Sequence, residues 1–149
     1  MTNNVNASDR SFSDIYNGIL IGLPQWSDWD TLTRYLPENN HGQWYVYYLN
    51  ATVPNMPLSV ATFDKFIQEI DRLLRTDHDE PYLGIVYVDD PGNPKFIKIY
   101  DPNNLGASCG CSGKIILPGW IISLVAPEDL SAHAVVPEGR RRWWARIFT

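Results

Sequence analysis

The chain has 149 residues, of which 44% are hydrophobic, 13% aromatic and only 19% charged, and its formal net charge is −5. This composition excludes an intrinsically disordered chain, and the length suits one domain that buries roughly 68–70% of the surface its unfolded chain exposes. No apolar run reaches the roughly 20 residues of a membrane helix, and the polar N-terminus lacks the basic and apolar regions of a signal peptide, so we expect a soluble, cytoplasmic protein.

Three segments in the first half of the chain have apolar residues at helical spacing. The first covers residues 13–22, opens with Ser13 as a cap and closes at a glycine, and the second covers residues 27–37 and ends at a proline. The clearest predicted helix runs from Ser59 to about Arg75, because its apolar residues recur at three- and four-residue steps and form one stripe. The polar residues 1–10 before these helices are expected to be disordered.

Four segments read as strands. Residues 43–53 are rich in Trp, Tyr and Val, which predicts burial on both faces and a central place in a sheet. Residues 82–89 and 95–101 flank the sequence Asp-Pro-Gly-Asn-Pro, whose turn chemistry predicts a β-hairpin. Residues 115–125 form a further apolar run that bends at Pro118, which favours an edge strand or a bulge.

The order of these elements predicts the fold class. Helices come first, one strong helix stands in the middle, and consecutive strands follow. We therefore expect residues 1–149 to form a single α+β domain, with a largely antiparallel sheet of about four or five strands and two or three helices packed on one face. The final segment, residues 140–148, is ambiguous, and its pattern favours a strand slightly over a helix.

The hairpin also predicts where one unusual loop begins. The two strands rise by the same distance, about 3.4 Å per residue, but run in opposite directions, so each step back along one matches one step forward along the other. If Val88 pairs with Phe96, Asp101 therefore lies opposite Leu83, within about two residues. The chain after Asp101 then leaves the sheet at the end where residues 77–80 approach it. Residues 103–114, which contain both cysteines, should therefore lie close to residues 77–80.

The Cys109-Gly110-Cys111 sequence is the first candidate site. Residues two apart in an extended stretch face the same side, so two thiolates can converge on a soft metal or close a strained, easily reduced disulfide. Zinc needs four ligands, so a Zn or Cu(I) site would also need groups such as His78 and Asp79. The structural alternative is that the cysteines pack as small apolar residues in a loop of small residues.

The same loop offers an anion-binding hypothesis. Gly110, Gly113 and Lys114 can present backbone N–H groups and one ammonium to an anion. The segment is not a phosphate-binding P-loop, because Ser108 occupies the position of the first glycine and Ile115 follows the lysine. The following residues are also strand-like, so no helix N-terminus would face the anion.

The basic and aromatic C-terminal segment, residues 139–149, is the candidate partner-binding site. It has a charge of +4 and no acidic residue. Because the net charge of the whole chain is −5, residues 1–138 carry a charge of −9. That acidic body argues against nucleic acid and against an anionic membrane surface as partners. Arg and Trp are enriched in protein interface hot spots, which favours another protein. The structural alternative is that the tryptophans complete the core while the arginines pair with carboxylates of the body. The candidate residues are Arg140, Arg141, Arg142, Trp143, Trp144 and Arg146.

No arrangement of side chains typical of catalysis is evident, so no catalytic residue is predicted. Two functions remain. The favoured one is a small cytoplasmic protein-binding or regulatory accessory domain without catalytic activity or cofactor, either a monomer or a weak homodimer. The alternative is a thiol-based redox or metal-handling protein that uses the Cys109-Gly110-Cys111 loop.

Overall fold

A five-stranded antiparallel sheet organises the part of the chain that the computed structural model describes, residues 10–103, 116–130 and 138–148. Four helices accompany it within those residues, so the predicted α+β class is confirmed. In chain order the elements are α1 (Phe12–Tyr16), β1 (Ile21–Gly22), α2 (Trp26–Glu38), β2 (Tyr45–Tyr48), α3 (Val60–Asp77), β3 (Val86–Val88), β4 (Phe96–Ile99), β5 (Trp120–Ser123) and α4 (Glu138–Ile147).

The strand order in the sheet is β1-β3-β4-β5-β2. The prediction of a central position for the segment containing β2 is wrong, because β2 is an edge strand that pairs only with β5 in this sheet. The segment containing β5 was predicted to be an edge strand or to carry a bulge, and it is neither: β5 lies between β4 and β2. Its proline precedes the strand, so no ladder hydrogen bond is lost.

The predicted hairpin is present as β3 and β4. Val88 pairs with Ile97, one residue away from the expected partner and inside the expected tolerance. The turn is held by side chains, since Asp89 Oδ1 accepts hydrogen bonds from the backbone N–H groups of Lys95 (2.9 Å) and Phe96 (3.1 Å). The one-residue shift still matters, because it exchanges which residues of the two strands share a face.

The two faces of the sheet carry separate apolar clusters. Helices α2, α3 and α4 cover the first face, where the main core contains residues that are 0% exposed, including Trp29, Leu36, Phe63, Phe66, Ile70 and Trp120. Helix α1 and residues 126–130 cover part of the second face, where Phe12, Ile15, Tyr47, Leu49, Phe96 and Ile121 form a smaller cluster. Burial of β2 on both faces comes from these layers and not from flanking strands.

Two helices differ from their predicted forms. Helix α1 begins two residues earlier than expected, because Ser11 and not Ser13 caps it and its hydroxyl accepts from the backbone N–H of Asp14 (3.2 Å). It ends at Tyr16, and the following residues pass to strand β1, leaving Ile19 94% exposed. The C-terminal segment is helix α4 and not the favoured strand.

Candidate functional site

A buried ion-pair cluster joins α4 to the end of the sheet. The Arg140 side chain is 12% exposed and pairs with Asp101, which is 4% exposed, with Nε 3.0 Å from Oδ2. The same guanidinium also pairs with Asp77 at the end of α3. Burial lowers the pKa of Arg140, but the hydrogen bonds to Asp101 and Asp77 outweigh it and raise the pKa above its ordinary value. The arginine is therefore a permanent cation that pairs with two carboxylates.

This cluster stands where the cysteine-containing loop begins. Asn103 donates its backbone N–H to Asp101 Oδ1 (2.9 Å) and its side-chain amide to Asp77 Oδ2 (3.3 Å). The chain after β4 thus leaves the sheet beside Asp77, at the end that the hairpin prediction indicated. The candidate loop residues Cys109, Gly110, Cys111, Gly113 and Lys114 lie outside the described residues.

His78, proposed as a ligand beside the thiols, is a buried residue that is 7% exposed. Its Nε2 lies 2.6 Å from the carbonyl oxygen of Leu83, and since a carbonyl only accepts, Nε2 carries the proton and donates. The ring packs against Trp26 and Tyr82, with centroids 6.0 and 6.5 Å away. Asp79, the other proposed ligand, is exposed. Within the described part of the chain, no three His, Cys, Asp or Glu residues are grouped as a metal site would require.

Helix α4 has an inner and an outer face. Trp143 and Trp144 are partly buried against the main core, and both rings contact Phe66 edge-on. Ile147, at 4% exposure, completes the inner face. Arg142 and Arg146 lie on the exposed side. The helix therefore divides the predicted partner-binding residues into those that pack and those that face solvent; the side chain of Arg141 lies outside the described structure.

A cluster of one lysine and three tyrosines on the second face of the sheet was not predicted from the sequence. Lys98 lies on β4 directly opposite Tyr87 on β3. Its Nζ is 4.7 Å from the centre of the Tyr16 ring, contributed by α1, and 6.0 Å from that of Tyr100. The Tyr87 and Tyr100 rings meet edge-on at 5.7 Å. All four side chains are half-buried.

The cluster perturbs its own titratable groups. Burial lowers the pKa of Lys98, because partial desolvation destabilises the charged ammonium relative to the neutral amine. Burial also raises the pKa of Tyr16 and of Tyr100, and in each case a neighbouring tyrosine adds to the rise: Tyr100 for the first and Tyr87 for the second. Perturbed groups gathered at one place are a physical reason to suspect a site.

An open groove of about 470 Å³ lies along the exposed side of α3. Its charged groups are already paired: Arg75 contacts Asp71 (2.9 Å) and Asp30, and Arg72 contacts Glu69 (3.0 Å). Because these exposed charges are paired with one another, the groove is a weaker candidate for a ligand site than the lysine–tyrosine cluster.

Comparisons with protein-family models, with curated proteins and with solved structures returned no match for this chain. Among the described residues, no helix is both long and apolar enough to cross a membrane.

Proposed function

We propose that this chain is a small cytoplasmic protein-binding domain without catalytic activity, and that it binds an acidic partner protein through the outer face of α4. One observation carries the proposal. Arg142, Ala145 and Arg146 are exposed and lie at three- and four-residue spacing, which places them on one side of the helix. Phe148, directly after the helix, is 49% exposed, and its ring lies 4.8 Å from that of Trp144.

The inner face of α4 supports this role by holding the helix in place. Arg140 is fixed by its two carboxylates, and Trp143 contacts the Trp120 ring edge-on at 5.5 Å. Lys65 of α3 reaches the other end of the helix, where its ammonium donates to the carbonyl of Arg146 (3.4 Å). A binding surface on an already ordered helix loses less conformational entropy when the partner docks.

Charge supports an acidic partner. The outer face of α4 adds Arg142 and Arg146 next to Lys65 of α3, on a body that carries −9 before residue 139. Opposite charges steer two proteins together and raise the association rate, whereas like charges reject wrong partners. An acidic surface would be attracted to α4 and repelled by the rest of the molecule, which orients the encounter.

The test compares charge reversals on two helices. The full chain, an Arg142→Glu/Arg146→Glu variant and an Arg34→Glu control are immobilised, and proteins recovered from the source cells are identified and quantified at low and high salt. Arg34 is an exposed arginine on α2, so it matches the residue type but lies on another helix. Unchanged unfolding midpoints would show that the variants fold.

We expect one acidic protein to bind the full chain and the Arg34 control, to lose at least about tenfold in recovery with the double variant, and to weaken with salt. Equal recovery by the double variant, or no partner for the full chain, would overturn the proposal.

A thiol-based redox or metal-handling function, with Zn or Cu(I) bound through Cys109 and Cys111, is the second candidate. The observation that favours it is the position of Asn103, which begins the loop beside Asp77 and the Arg140 guanidinium. The segment that carries the two cysteines thus starts beside Asp77, one residue before the candidate ligand His78. The reactivity of the two thiols separates this function from the first.

A further inference from the structure

We propose that Lys98, Tyr16, Tyr87 and Tyr100 form a binding site for a phosphoryl group on the second face of the sheet. This inference is independent of the proposed function, because no residue of α4 belongs to the lysine–tyrosine cluster.

The charge of Lys98 is the first argument. Within the described residues no carboxylate forms an ion pair with Lys98, whereas Arg72, Arg75 and Arg140 are all paired. The ammonium instead lies over the Tyr16 ring and near the Tyr100 ring, and a tyrosine ring stabilises a cation much less than a carboxylate does. A half-buried cation that lacks a counterion attracts an anion from solution.

The hydrogen-bonding groups of the site give the second argument. The hydroxyls of Tyr16, Tyr87 and Tyr100 make no hydrogen bond within the described structure. Since the pKa values of Tyr16 and Tyr100 are raised, these phenols stay protonated at neutral pH and can donate. The cluster therefore offers one ammonium and three hydroxyls as donors, on side chains whose rings and ammonium lie within about 6 Å of a neighbour in the cluster. Such a set suits a ligand made of acceptors, and a tetrahedral oxyanion offers more acceptor oxygens than a carboxylate does.

The third argument is that the site is pre-formed. Tyr16 is held by α1, whose Phe12 ring lies 5.3 Å from that of Phe96 on β4. Tyr87 is held against the edge strand β1, where a side chain at Gly22 would place its Cβ 3.1 Å from the Tyr87 ring. The glycine therefore leaves room for the Tyr87 ring beside β1. Rigid donors on strands and a packed helix lose little entropy when the anion binds.

The phosphoryl group can belong to free phosphate or to a larger phosphate ester, and two probes separate these sources. Inorganic phosphate tests the oxyanion alone, and phenyl phosphate adds an aromatic ring that can stack on Tyr87 or Tyr100. Binding is measured on the full chain by NMR, from the chemical shifts of the backbone amides of β3 and β4, which every variant retains. The net charge of −5 disfavours non-specific accumulation of phosphate, so a saturable shift reports a site.

We expect saturable binding of inorganic phosphate, on the order of 1 mM, that weakens at least tenfold in Lys98→Gln and about threefold in Tyr100→Phe. Tighter binding of phenyl phosphate would identify an ester as the ligand, and equal binding would identify free phosphate. Lys95→Gln is the matched control, a half-buried lysine one residue before β4, and it should bind like the unaltered chain.

A shift that does not saturate, or equal binding by Lys98→Gln, would overturn the proposal. Gly22→Ala supplies a second variant that leaves Lys98 in place, and it should weaken binding by displacing Tyr87. The Arg142→Glu/Arg146→Glu variant should bind phosphate unchanged, so failure of the phosphate site and failure of the α4 surface are distinguishable.

Discussion

Arg140 donates to Asp101 across the end of the sheet, with 3.0 Å between Nε and Oδ2, and so ties the first turn of α4 to the residue that follows Tyr100. The contact bridges two segments that are 39 residues apart in sequence. It also explains part of the charge asymmetry, because one of the arginines in the basic segment is neutralised inside the molecule. Arg142 and Arg146 lie on the exposed side of the same helix.

Replacing Arg140 tests whether this ion pair anchors α4. We expect Arg140→Ala to lower the free energy of unfolding by about 3 kcal/mol, because Asp101 would stay buried without its partner. Chemical denaturation measures the change. Arg34→Ala, an exposed arginine on α2, should change stability by less than about 0.5 kcal/mol. A similar small effect for both variants would show that α4 is held by its apolar face alone.

His78 and Asp79 allow a second test, because they are adjacent in sequence but differ in burial. We expect His78→Ala to lower the free energy of unfolding by about 2 kcal/mol, through the lost hydrogen bond to Leu83 and the lost packing against Trp26. Asp79→Ala should have almost no effect on stability. If instead both variants keep full stability but weaken zinc binding, then His78 is a ligand and not a packing residue.

An element of the fold could be predicted where the residues of one segment alone determine its structure. Helix α3 begins directly after Ser59, its expected first residue, which caps it by accepting from the N–H of Thr62 (3.2 Å), and it ends two residues beyond Arg75. The place of β2 could not be predicted, because aromatic composition reports burial but not which strands are neighbours. Its burial on the second face depends on residues 126–130, where Leu130 donates its N–H to the Tyr47 hydroxyl (3.0 Å).

The error at α4 has a different cause. Its inward residues, Arg140, Trp143, Trp144 and Ile147, follow helical spacing, but an arginine is normally assigned to the outside, so the pattern was obscured.

The lysine–tyrosine cluster was missed because it depends on register. The expected pairing of Val88 with Phe96 would not place Lys98 opposite Tyr87, and a one-residue shift does. The position of Tyr16 above Lys98 results from tertiary packing of a five-residue helix, which leaves no periodic signal in the sequence.

The two thiols distinguish the candidate functions directly. If the chain is a binding domain, Cys109 and Cys111 should react with a chromogenic thiol reagent at the same rate with and without Zn²⁺, or with and without Cu(I) buffered by a competing chelator. Two fast thiols that metal protects would instead support the redox or metal-handling function, since metal holds the thiolate form. A Cys109→Ser/Cys111→Ser variant gives the background of the reaction.

The titration of Lys98 is the final prediction. Burial should place its pKa in the folded chain below the ordinary value of 10.5, and NMR of the side chain in the folded protein measures the midpoint. The same residue in urea should return to the ordinary value, which provides the control. A folded midpoint equal to the one in urea would contradict the burial argument, and phosphate should raise the folded midpoint because an anion stabilises the ammonium.

The lowered pKa of Lys98 makes the free energy of unfolding depend on pH, in the opposite direction from the raised pKa values of Tyr16 and Tyr100. Between the lowered pKa of folded Lys98 and its ordinary value of 10.5, the unfolded chain binds more protons, so the contribution of Lys98 to the free energy of unfolding rises with pH. Tyr16 and Tyr100 have raised pKa values in the folded chain, so their contribution is present below 10.0 and is lost as pH rises through the folded values. We expect Lys98→Met to remove the rise, and Tyr16→Phe to reduce the loss at higher pH, in unfolding curves measured across this range. If Lys98→Met instead leaves the pH dependence unchanged, the ammonium is as well solvated in the folded chain as in the unfolded one, and the electrostatic basis of the phosphoryl site is removed.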